Sequence, residues 1–132
     1  MQATYQAADL NALGLAVGTG DFSMYLRIRA PSTVATAGVK KSIYRLTDGG
    51  GTKMTIDLYE LGSTQHYHWV VDIGGTKLTD WSTAGNPYIK EGTDSILHVT
   101  RTAGVIKAFV NGVLVRSLTG NVTDFSATPA SG

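Results

Sequence analysis

The residues of this chain whose types and spacing could do chemistry fall in three places. His66 and His68 stand two apart. On a strand, that spacing projects both imidazoles from one face, which is the beginning of a metal site. Asp72 points the same way but lies about 13 Å further along an extended chain, and the sequence places no third ligand. Two histidines on the wet face of a strand are more often solvated polar positions than ligands. Asp57 and Glu60 are the acidic residues closest to a hydrolytic pair. A retaining glycosidase needs its two carboxyl groups about 5 Å apart on one face, whereas residues three apart on a strand face opposite ways. The chain has no acidic residues on three alternate positions and no nucleophile elbow. The third place is 80–88, DWSTAGNPY, which gathers Trp81, Asn86 and Tyr88 in one loop region. Sugar recognition combines an aromatic face with polar groups beside it, so these three are the candidate glycan-binding residues. The competing reading has Trp81 and Tyr88 covering an edge of the fold, as large aromatics mostly pack.

The elements that must carry these residues are strands. Alternation of apolar and polar residues is clearest over 22–29, where Phe22, Met24, Leu26 and Ile28 share one face and Ser23, Tyr25, Arg27 and Arg29 the other. Pro31 ends that run. Residues 41–47 and 53–60 form a hairpin around DGGG at 48–51, since consecutive glycines accept positive φ without steric cost. Residues 66–73 place Tyr67, Trp69, Val71 and Ile73 on one side, and Gly74-Gly75 turns the chain into 76–81. Residues 95–102, 105–110 and 113–118 make a meander through Ala103-Gly104 and Asn111-Gly112, the latter the strongest short hairpin signal. Tyr67, Trp69, Phe22, Phe109 and Val99 are expected in the core, and Tyr25 and Tyr59 on exposed strand faces. About eight short strands and no long helix predict one all-β domain, an antiparallel β-sandwich. Residues 21–118 form its body, 1–20 an N-terminal arm or edge strand, and 119–132 a Thr/Ser/Ala-rich arm or linker.

The totals narrow the function classes. A chain of 132 residues is one domain by default and buries roughly two thirds of its unfolded surface without staples. Net charge is +1, with Lys and Arg scattered, so no basic stripe awaits a phosphate backbone and nucleic acid is not expected. With no cysteine there is neither a disulfide framework nor a thiolate metal site. Residues 1–26 contain no Lys or Arg, so the charged start of a secretory signal is missing, and the apolar stretch 13–18 is too short to span a bilayer.

Residues 18–29, GTGDFSMYLRIR, and 96–115, ILHVTRTAGVIKAFVNGVLV, resemble the laminin-G-like or concanavalin A-like lectin and glucanase superfamily. In that family a Phe-bearing strand comes early, and a hairpin closed by Asn-Gly comes late. The resemblance covers 18–118 and implies a jelly roll. The family's further strands beyond the hairpin have no counterpart here. Either the domain is minimal, or the sequence is an excerpt of a longer chain, or another subunit supplies the missing strand. An unpaired edge would be a template for strand addition by a partner or by the terminal arms. Val122 and Phe125 are the large apolar residues of the 119–132 arm and the candidate assembly contacts. Laminin-G-like domains often bind Ca²⁺ through rim loops. Asp48, Asp80, Asp94 and Asn86 are expected in turns, but they form no dense oxygen-rich loop of the kind Ca²⁺ wants. No other cofactor is expected. Domains of this kind serve as adhesion modules and on the exteriors of bacteriophage particles. The leading expectation is a non-enzymatic structural or decoration protein on a virion surface, homo-oligomeric, with weak glycan binding. The alternatives are a carbohydrate-binding or adhesion module of a larger extracellular protein and a minimal glycosidase.

Overall fold

The computed structural model describes residues 20–30, 40–48, 51–60, 66–80 and 87–121. Nine strands run in order: β1 (Phe22–Arg29), β2 (Lys40–Asp48), β3 (Gly51–Glu60), β4 (His66–Ile73), β5 (Thr76–Thr79), β6 (Ile89–Lys90), β7 (Asp94–Thr102), β8 (Val105–Val110) and β9 (Val113–Leu118). They form two antiparallel sheets. One has the order β1-β7-β8-β9; the other has β2-β3-β4-β5, with the two-residue β6 also paired to β4. No helix occurs among the described residues. The terminal arms expected from the sequence lie outside the described residues, except for Gly20 and residues 119–121.

The core lies between the sheets, and period-two alternation decides what enters it. Leu46, Met54, Ile56, Leu58, Trp69, Val71 and Leu78 come from one sheet, and Leu97, Val99, Ile106, Ala108 and Val110 from the other. The tight turns are those the sequence specifies. Asn111 and Gly112 have φ of 50° and 82°, and Ala103 and Gly104 have φ of 49° and 77°, the paired positive values of a type I′ hairpin. Asparagine tolerates this region, but alanine does so at a cost. At the second turn the Asp21 Oδ1 accepts the Ala103 N–H at 2.8 Å, tying the turn to the start of β1.

Two polar contacts that organise the interior centre on Trp69 and Arg101. The indole Nε1–H of Trp69, on β4, donates to the Oγ of Ser95, on β7, at 3.0 Å, so this bond crosses from one sheet to the other. Asn111 then links Ser95 to the β8–β9 turn: its Oδ1 accepts the Ile96 N–H at 2.8 Å and its own N–H donates to the Ile96 carbonyl at 2.8 Å. Arg101 is 1% exposed. Its Nε and Nη2 donate to the Gly20 carbonyl at 3.0 and 2.8 Å, its Nη1 donates to the Asn121 Oδ1 at 3.1 Å, and its guanidinium lies 5.3 Å from the Phe22 ring centre. One buried cation thus holds the residues just before β1 and just after β9.

Several expectations need correction. Phe109 is not a core residue: it pairs with His98 on the solvent side of its sheet, because the inward positions of β8 are Ile106, Ala108 and Val110. Asp48 and Asp94 are not turn residues, since they end β2 and begin β7.

Replacing Ser95 with alanine removes the acceptor of a fully buried indole N–H. We expect a loss of about 1–3 kcal/mol, read as a lower urea midpoint with an unchanged slope. A midpoint equal to the wild type would show that this cross-sheet bond contributes nothing to stability.

Candidate functional site

The outer faces of the two sheets differ. On the five-stranded sheet Asp57, His68 and Val70 point away from the core yet are buried. On the four-stranded sheet the outward positions carry an open row of large side chains. Tyr25 pairs with His98, His98 with Phe109, and Phe109 with Leu114, so one residue from each strand lies in a line across the whole sheet. The Tyr25 and His98 rings stack with centres 3.8 Å apart and planes 10° from parallel, and His98 and Phe109 follow at 5.4 Å and 25°. Cross-strand aromatic pairs of this kind stabilise a sheet. The Ser23 Oγ lies 2.8 Å from the His98 Nε2, which holds the imidazole upright in the stack.

A centre distance of 3.8 Å leaves the two rings little lateral offset. The stacking axis therefore runs from β7 toward β1, and the far face of Tyr25 looks off the edge of the sheet. Tyr25 is 67% exposed and Leu114 50%, and Ile96 on the same face is also exposed. One end of the row is bordered by Arg27 and Arg29, which share the carboxylate of Asp94 at 2.7 and 3.4 Å. The hydrogen bond from Arg27 holds the Asp94 carboxyl below the usual carboxylate range.

The residues singled out from the sequence are distributed differently. Tyr88 is exposed just before β6, and its ring lies 4.6 Å from that of His68 and 5.6 Å from that of His66. The fold therefore brings together Tyr88 and the histidine pair, which sequence spacing treats as separate features. Trp81 and Asn86, the other glycan candidates, lie outside the described residues, as do the assembly candidates Val122 and Phe125. Asp72 shares the histidines' face but its Oδ1 accepts the Gly75 N–H at 2.9 Å, within the hairpin turn. Among the described residues, no three His, Cys, Asp or Glu side chains come together as a metal ion requires. Asp57 and Glu60 lie on opposite faces of β3. Asp57 accepts the Ser42 hydroxyl at 2.8 Å, while Glu60 faces the core side with Lys41 Nζ at 3.9 Å.

Sequence reasoning missed His98 and Phe109 as partners of Tyr25. The signal was present only as aromatic rings on the polar phase of three separate strands, and registers are needed to align them. Comparison with family models, curated proteins and solved structures finds no match for this chain.

His68 is 4% exposed, and among the described residues its Nδ1 has no hydrogen-bond partner. Burial pushes its pKa below the ordinary 6.5; the carboxylate of Asp80 opposes that shift and His66 reinforces it. Neutral His68 is therefore what the fold accommodates. Below the ordinary value of 6.5 the unfolded chain binds this proton more readily than the folded one, so stability present above that pH is lost as pH falls. The urea midpoint should drop between about pH 7 and pH 5, and His68→Phe should flatten that drop. An equal drop in the variant would place the titrating group elsewhere.

Proposed function

We propose that this chain is a non-enzymatic structural module on the surface of a virion or a similar assembly, held to neighbouring protein subunits through the outer face of its four-stranded sheet. The observation that carries the reading is the continuous row of Tyr25, His98, Phe109 and Leu114 on that face, widened by Ile96. Contiguous exposed apolar surface on a soluble domain is characteristic of contact sites. Large rings at the centre with charged residues at the margin match the anatomy of protein interfaces. The separation of Asp57 and Glu60 onto opposite faces of β3 supports a role without hydrolytic chemistry. The jelly-roll arrangement and the setting on a particle surface rest on the laminin-G-like resemblance of residues 18–118.

Light scattering over a range of protein concentrations tests this reading. The molar mass should rise to multiples of the monomer, and Leu114→Glu, which puts a charge on an exposed position of the row, should stop that growth. A variant that grows as the wild type does would overturn the use of this face.

A second reading, weak glycan binding, is favoured by Tyr88, whose exposed ring sits beside two imidazoles. Saturable binding on a glycan panel that disappears with Tyr88→Ala and with Trp81→Ala would support it. Binding that survives Tyr88→Ala would remove Tyr88 from any such site.

A further inference from the structure

The four sheet edges are not equivalent. β2 and β5 pair with their neighbours through shifted registers, and so does β9, where the break falls between Ala108 and Phe109. Such irregularities are how natural sheets blunt their edges. β1 is different. Its eight residues pair with β7 in unbroken register from Phe22 to Arg29, and it contains neither proline nor glycine. Among the described residues, no strand lies on its other side. Its core-facing side chains remain partly exposed along the whole strand, whereas their neighbours Ser95, Leu97, Val99 and Arg101 on β7 are fully buried. This edge is long, regular and apolar on its inner face.

It is also self-complementary. We infer that β1 pairs antiparallel with β1 of a second copy of this chain about a two-fold axis at Tyr25, joining two four-stranded sheets into one of eight strands. The inference rests on the assembly reading above and specifies one of its contacts. In this register Phe22 meets Ile28 of the other copy and Met24 meets Leu26, so apolar residues pair on the core side. On the outer side Ser23 meets Arg27, Tyr25 meets Tyr25, and Asp21 meets Arg29.

Charge selects this register over its neighbours. Arg27 and Arg29 share the single carboxylate of Asp94, which leaves that end of β1 positive, and Asp21 makes the opposite end negative. An antiparallel pair brings the unlike ends together twice. A slip of one residue would put each copy's core face beside the other's wet face. Centring on Arg27 would oppose like charges, and centring on Leu26 would leave Asp21 without an arginine across the axis. The open face of Tyr25 points off this edge, so only the Tyr25-centred register continues the stack: Phe109, His98 and Tyr25 would meet Tyr25, His98 and Phe109 of the second copy. The interface is isologous and closes on itself.

The chain has no cysteine, so a single introduced thiol reports one position. Directly opposed residues on antiparallel strands have Cβ atoms about 4.5–5.5 Å apart, close enough for a disulfide to form with slight adjustment. In the full chain, mild oxidation should convert Tyr25→Cys to a covalent dimer, while Ser23→Cys and Leu26→Cys stay monomeric on a non-reducing gel. Arg29→Asp should weaken dimerisation about tenfold, since it replaces two attractive contacts with repulsive ones, and Asp21→Arg added to it should restore the dimer. Efficient cross-linking through Leu26→Cys instead would overturn the register. Growth to higher mass without cross-linking through Tyr25→Cys would overturn this edge and leave the assembly reading standing. A dimer that cross-links at Tyr25→Cys and grows no further would support the edge and count against the outer face. A wild-type chain that is monomeric at every concentration would overturn both.

Discussion

An indole N–H buried between two sheets has to find an acceptor, because leaving it without one costs a large part of what burying the ring contributes. Trp69 stands at the middle of β4 and meets that requirement through Ser95, a residue of the opposing sheet. The bond is directional where the surrounding apolar packing is not, so it fixes how β4 lies over β7. The consequences extend outward from Ser95. Asn111 is held by the neighbouring Ile96 backbone, and it occupies the left-handed position that closes the β8–β9 hairpin. The alignment of the sheets and the turn that ends the meander are thus linked through three adjacent polar groups.

Arg101 does the same work at the other end of the sandwich by different means. A fully buried guanidinium needs its donors satisfied, and those acceptors come from Gly20 and Asn121, which lie far apart in sequence. The residues flanking β1 and β9 are therefore gathered on one side chain of β7. This matters for the proposed interface, since the start of β1 and the carboxylate of Asp21 are held in place by Arg101 and by the Ala103 turn.

The two outer faces differ in how far they are buried. The five-stranded sheet is buried at the centre of its outer face, where neutral His68 belongs to the protein's own packing. The four-stranded sheet leaves a stacked row of rings open to solvent and ends in a regular edge. Stacking on His98 stiffens Tyr25 before any partner arrives, which lowers the entropy lost on association. In the proposed assembly the same row would serve the face contact and, through the open side of Tyr25, the edge contact.

Local chemistry was readable from the residues alone. Alternation assigned Phe22, Met24, Leu26 and Ile28 to the core side, and Asn111-Gly112, Ala103-Gly104 and Gly74-Gly75 marked their turns, because side-chain period and turn conformation depend only on neighbours in sequence. Three-residue spacing was likewise enough to part Asp57 from Glu60. What crosses between strands was not readable in this way. Phe109 looked like core because a large aromatic usually is, yet the hairpin register put Ala108 inward and Phe109 outward beside His98. The meeting of Tyr88 with His66 and His68 depended on the short β6 pairing with β4. Arg101 shares the inward phase of Leu97 and Val99, but the groups that satisfy its guanidinium were visible only once Gly20 and Asn121 came in from both ends of the sheet. The sequence by itself determined which residues form strands, where they turn and which face of each is apolar. Only the tertiary structure decided which strands are neighbours and in what register, because pairing joins residues many positions apart and is chosen by the packing of the whole sandwich.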